Sequence, residues 1–225
     1  MSDDSFIREV DEELRADRAR DLWSRYGKLL IAAAVLVVLA TAAWRGWEWW
    51  VERQASTSGD RFLAALQLSN DGKADEAIAA LEALQKDGYG AYPVLAAMRA
   101  ATELQKKGDT AGAVAAFDKV ANDAANPQPI AQMAKLRAGY ILVDTGAYAD
   151  VSARVETLAV DGNPLRHAAR EALGLAAYKE GRLKDAEALF RQIADDGDAP
   201  RGVRERAGVM IDLIVAAGVG ETAGS

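Results

Sequence analysis

The sequence predicts an all-α protein: a single N-terminal transmembrane helix, then an α-solenoid of about four helical hairpins closed by a C-terminal capping helix. Three observations predict it. The stretch KLLIAAAVLVVLATAAWRGWEWWV, Lys28–Val51, carries no charge over the 16 residues from Leu29 to Trp44. Four segments, GKADEAIAAL, GDTAGAVAAF, GAYADVSARV and GRLKDAEALF, share one pattern, and their glycines are separated by 36, 38 and 35 residues; repetition at that period signals stacked helical hairpins. Alanine is frequent and only five prolines interrupt the 225 residues, which favours helix because alanine loses no side-chain entropy on entering one.

Residues 1–27 form the first element. SFIREVDEELRADRARDLWSRYG places Phe6, Val10, Leu14 and Leu22 at near-helical spacing, with Ser5 as a candidate cap. Acids fill its first half and arginines its second, as the helix dipole prefers. It reads either as a short amphipathic cytoplasmic helix at the membrane or as a solvated juxtamembrane tail.

Residues 28–50 read as the anchor. At 1.5 Å per residue, Leu29 to Trp50 spans roughly 33 Å, enough for a hydrocarbon core of about 30 Å. Tyr26 and Lys28 mark the near interface, and Trp44, Trp47, Trp49 and Trp50 the far one, where an indole keeps its ring in the apolar boundary and its N–H in water. Six basic residues (Arg8, Arg15, Arg18, Arg20, Arg25, Lys28) precede the span and three (Arg45, Arg53, Arg61) follow it closely. That asymmetry puts the N-terminus in the cytoplasm of a single-pass inner-membrane protein and the rest in the periplasm. A cleaved signal, with Ala40-Thr41-Ala42 as the small-x-small site, fits less well, because the 28 residues ahead are long and acid-rich. A buried soluble helix seldom runs so far without a polar face.

A polar linker follows at residues 51–58, within the stretch VERQASTSGD, before a repeat domain at 59–217 and a disordered tail at 218–225. The triplets Gly72-Ala77-Leu81, Gly108-Ala113-Phe117, Gly146-Val151-Val155 and Gly181-Ala186-Phe190 define the repeats. Glycine turns the chain between two antiparallel helices, the small residue sits where they approach, and the larger one fills the groove toward the next repeat. Pro93, Pro127 or Pro129, Pro164 and Pro200 fall just before successive first helices, where proline is tolerated. The expected hairpins are 58–87, 92–123, 128–160 and 164–196, with PRGVRERAGVMIDLIVAAG as the cap that covers the last apolar face.

This pattern resembles the tetratricopeptide repeat. The fourth unit fits best, with Leu173-Gly174 in its first helix and Gly181, Ala186 and Phe190 following. The third has Gly139 and Gly146 but valines at the later positions, and the first two have Ala65 and Ala101 in place of the first-helix glycine. The whole layout (charged N-terminal segment, YGK entry, one anchor, tryptophan-rich exit, small repeat domain) also resembles the ancillary subunit of the bacterial Sec translocon, the YfgM-like family. That resemblance implies an inner-membrane protein that partners Sec translocon subunits and works alongside a membrane-anchored periplasmic chaperone of the prolyl-isomerase type.

Composition narrows the chemistry. A net charge of −7 disfavours nucleic acid. The chain has no cysteine and one histidine, His167, so no thiolate site, zinc cluster or triad is visible, and neither an enzyme, a cofactor nor a small-molecule substrate is expected. His167 reads as exposed or packing, and Asp195-Asp196 as solvating a hairpin end. If first helices line the concave face, Met98, Thr102, Met133, Leu136, Tyr140 and Tyr178 point toward a groove suited to apolar peptide segments. The expected function is a non-catalytic adaptor. The alternative is an inner-membrane regulatory protein whose cytoplasmic segment binds a signalling factor.

Overall fold

The structure, a computed structural model, describes the backbone of residues 3–218 and the side chains of Arg20 and residues 23–218. The side chains of Phe6, Val10, Leu14 and Leu22 and the tail from Val219 onward lie outside the described residues. Among those described there is no strand. The chain divides into two compact units, Met1–Ser56 and Thr57–Ser225.

Helix α1 runs from Asp3 to Asn70 and so enters both units. Two expectations change here. Ser5 lies inside the helix rather than capping it, and residues 51–58 are helical, not a linker. RQASTSGD is polar but holds no proline. Its one glycine, Gly59, serves packing: a Cβ there would meet Tyr92 Oη at 2.8 Å. Polarity alone does not break a helix.

In the second unit the part of α1 from Thr57 pairs with α2 (Ala74–Asp87). Then follow α3 (Tyr92–Lys106) with α4 (Thr110–Asn122), and α5 (Gln128–Thr145) with α6 (Tyr148–Val155). Helix α7 (Arg166–Lys179) pairs with α8 (Leu183–Ala194), and α9 (Arg201–Ala216) closes the stack on α8. The third hairpin is irregular, because α6 stops at Val155 and a 3-10 turn, Glu156–Leu158, completes it.

The repeat triplets account for the core. Ala77, Leu81, Ala113, Phe117, Val151, Val155, Ala186 and Phe190 are all fully buried. Burying each large member contributes roughly 2 kcal/mol relative to leaving it exposed. Apolar clusters link each hairpin to the next: Leu81 and Leu84 with Ala96 and Ala100, Phe117 with Ala134 and Ile141, Val155 with Ala172 and Leu173, and Phe190 with Ala207 and Ile214. Gly72, Gly108 and Gly181 have φ of 78°, 88° and 74°, the left-handed conformation that favours glycine. Gly146 differs, with φ −106°, and its turn is held by polar contacts instead.

Those contacts come from the next repeat. Lys179 Nζ donates to the carbonyls of Val143, Asp144 and Gly146, at 3.0, 2.7 and 3.1 Å, and so caps the end of α5. Its neighbour Glu180 accepts from the Tyr148 N–H at 2.6 Å and caps the start of α6. One dipeptide thus satisfies orphan groups on both sides of the α5–α6 turn.

Candidate interaction surfaces

The first surface is the apolar stretch of α1. Leu29, Leu30, Ile31, Val35, Leu36, Val37, Val38 and Leu39 are all exposed, as are Trp44, Trp47, Trp49 and Trp50. The helix is long and apolar enough to cross a membrane. The indoles sit beside charges: Arg53 lies 5.3 Å above the Trp49 ring, and Arg45 pairs with Glu48 at 3.0 Å. Trp47 and Trp50 touch each other, with centroids 5.5 Å apart. Tyr26 and Lys28 are exposed at the other end of the apolar run.

The second surface is a groove of about 570 Å³ along α5. Met133, Arg137, Tyr140, Ile141 and Asp144 form one wall, and Gln105 at the end of α3 and Thr110 at the start of α4 face them. The groove opens where the backbones of α3 and α5 stand further apart than those of α5 and α7.

The third surface is a more apolar groove of about 720 Å³ that shares Tyr140 with the second. Leu175 of α7 and Val209 and Met210 of α9 line it, above the Glu171–Arg206 pair. Glu171 is only 5 % exposed. It accepts from Arg206 Nε at 2.6 Å and Nη2 at 2.9 Å, and from Tyr140 Oη at 2.8 Å. One buried carboxylate therefore ties α5, α7 and α9 together. Burial, followed by the hydrogen bond and charge of Glu171, pushes the Tyr140 phenol well above its ordinary value.

The six groove residues named from the sequence divide accordingly. Met133 and Tyr178 are exposed at 36 % each, and Tyr140 is half-buried with its hydroxyl committed to Glu171 and the Ala168 carbonyl. Leu136 is 5 % exposed and belongs to the core between the third and fourth repeats, so it offers little to a partner. Met98 is half-buried against the core between the second and third repeats. Thr102 donates to the Met98 carbonyl at 3.0 Å. The structure brings Met133, Leu136 and Tyr140 to one groove and leaves Met98, Thr102 and Tyr178 outside it.

Other polar residues carry unforeseen roles. Asp196 does not solvate a hairpin end: it accepts from Arg166 at 3.0 Å and lies 2.7 Å from His167 Nε2, tying the end of α8 to the start of α7. His167 is buried there. Contacts with His167, the Asp198 N–H and Arg166 hold the Asp196 carboxyl well below the usual carboxylate range. Glu103, buried on α3, meets Arg99 at 2.7 Å and Lys106 at 3.0 Å, while Arg99 donates to Ser69 of α1. Burial raises that carboxyl, but hydrogen bonds with Ser69 and Lys106 and the charges of Arg99 and Lys106 outweigh it and leave it lowered. Among the described residues no three acids or histidines gather as a metal site.

Stacked helical hairpins with open grooves define a protein-interaction module of the repeat class. The family description "Tetratricopeptide repeat-like domain" matches residues 20–212, and the chain belongs to that family. The match begins ahead of the apolar run, so it takes in that helix together with the repeats. No curated protein and no solved structure matches the chain. Domains of this kind are generally non-catalytic, and no catalytic family is indicated.

Proposed function

We propose that the protein is a non-catalytic, membrane-anchored adaptor of the Sec translocon. Its repeats recruit a membrane-anchored periplasmic chaperone and assist the folding of translocated proteins. The observation that carries this reading is the union, within one family match, of an exposed apolar helix ringed by indoles and a repeat domain with open grooves. The excess of basic residues ahead of the apolar run supports a cytoplasmic N-terminus and a periplasmic repeat domain. The Sec assignment rests on the resemblance of the anchor flanks and repeats to the YfgM-like layout.

Within this reading Met133, Tyr178 and the ring of Tyr140 are the partner contacts, and the four interfacial tryptophans hold the anchor at its outer end. Anchoring raises the local concentration of the grooves near the exit site, so modest affinity is sufficient. The test is copurification from crosslinked membranes. Translocon subunits and periplasmic folding factors are expected, and recovery of neither would overturn the assignment.

A further inference from the structure

Gly27 lies in the interior of α1, where glycine is the least favourable residue after proline. It neither caps nor breaks the helix, since α1 runs on from Asp3 to Asn70. The indole of Trp23, one turn earlier, takes the place of the missing side chain. A Cβ built on Gly27 would lie 3.3 Å from Cδ2 and Cε2 of that ring and 3.4 Å from Nε1. The ring therefore lies along the helix at the level of residue 27. Gly27 is buried beneath it, while Trp23 itself stays 62 % exposed and Arg25, Tyr26 and Lys28 are exposed beside it. Gly46, beyond the other end of the apolar run, has no such neighbour: a Cβ there would meet nothing within 4 Å.

The level of the ring decides what it can touch. From Gly27 to Trp47 the helix rises about 30 Å, the thickness of a hydrocarbon core, and from Trp23 to Trp47 about 36 Å. A ring held at the level of residue 23 would stand in water. Laid over Gly27, it reaches the boundary between headgroups and acyl chains, where tryptophan is enriched. Arg25 and Lys28 at the same level suit the phosphates of anionic lipids.

We propose that Trp23, seated on Gly27, binds the headgroup layer of the cytoplasmic leaflet and closes the inner end of the anchor, as the four later tryptophans close the outer end. The inner interface thus has an indole besides Tyr26, one that the apolar run starting at Leu29 does not announce. This rests on the membrane-anchored reading of α1 and on nothing in the repeat domain.

The test uses the full chain with Trp44, Trp47, Trp49 and Trp50 replaced by phenylalanine, which leaves Trp23 as the single tryptophan. It is reconstituted in vesicles of phosphatidylcholine and phosphatidylglycerol. Emission is quenched from the lipid side by phosphatidylcholine brominated near the glycerol end of its acyl chains, and from the water side by acrylamide. Trp23 is expected to be quenched by the bromolipid and shielded from acrylamide. Gly27→Leu fills the seat and moves the ring outward by about 6 Å, so bromolipid quenching is expected to fall at least about twofold while acrylamide quenching rises. Gly46→Leu is expected to change neither. If the fourfold variant does not insert, the difference in quenching between the parent chain and Trp23→Phe gives the same readout. Quenching by acrylamide alone, or quenching unmoved by Gly27→Leu, overturns the proposal. Shielding from both agents overturns it equally, because a protein surface then covers the ring. Alkaline carbonate treatment of the same chain separates the two readings: with any of these failures, retention in the membrane leaves the anchor standing and removes the Trp23 seat alone.

Discussion

Replacing Gly174 with alanine tests why the fourth repeat needs that glycine. A Cβ built there lies 2.8, 3.0 and 3.1 Å from three carbons of the Phe190 ring, against an ordinary contact of about 3.4–4 Å. Phe190 is fully buried among Ala186, Ile193, Ala207 and Ile214, so its ring cannot retreat without moving α8 or α9. Overpacking of this kind costs about 1–3 kcal/mol. Alanine's better helix propensity returns about 1 kcal/mol. The net expectation is a loss of about 1 kcal/mol, or roughly 2–4 °C in midpoint for a domain of this size. The assay is thermal unfolding of the full chain in micelles by far-ultraviolet circular dichroism. Phe190→Leu alone should also destabilise, but Gly174→Ala added to it should cost nothing further. A neutral Gly174→Ala, or two losses that simply add, would show that the ring does not set the helix approach.

The carboxylate that joins three helices gives a second expectation. Tyr140→Phe should cost about 1 kcal/mol, and Arg206→Ala about 2 kcal/mol because Glu171 then keeps a buried charge with one partner; urea midpoints measure both. Asp196, held below its ordinary range, stabilises the fold above the unfolded carboxyl value near pH 4, and that contribution is lost as acid is added. Asp196→Asn should therefore be less stable at neutral pH yet lose less between about pH 5 and 2; an unchanged acid limb in denaturation profiles would contradict it. Leu36→Asp places a charge in mid-span at a cost of about 2.5–3.5 kcal/mol, so alkaline carbonate should extract more of this variant from membranes than of the parent.

The parts of the fold that repeat were readable in the sequence, because periodic burial leaves a periodic trace. Leu81, Phe117, Val155 and Phe190 all lie where the spacing put them, buried at the hairpin seams. Gly146 shows the limit. It occupies a glycine position of the pattern, yet its backbone is extended and its turn is held by Lys179 and Glu180, 33 and 34 residues further on. No local pattern announces such a partnership. The same holds for Glu171 and Arg206, 35 residues apart, which lock α7 to α9. Leu136 lines the groove yet is mostly buried in the core for a related reason: neighbouring positions on a first helix face the groove or the next hairpin according to rotations of a few tens of degrees. The cleft beside Arg137 and Asp144 depends on the spacing of α3 and α5, which a sequence pattern does not record.

The cysteine-free chain allows a direct measurement of its orientation in the membrane. Lys184, exposed in the first turn of α8, is replaced by cysteine, and intact spheroplasts are treated with a membrane-impermeant maleimide. Labelling before any permeabilisation is the expected result, since the apolar helix is proposed to hold the repeats on the outer side. A thiol that stays unreactive until the inner membrane is ruptured would place the repeats in the cytosol and contradict the proposed function.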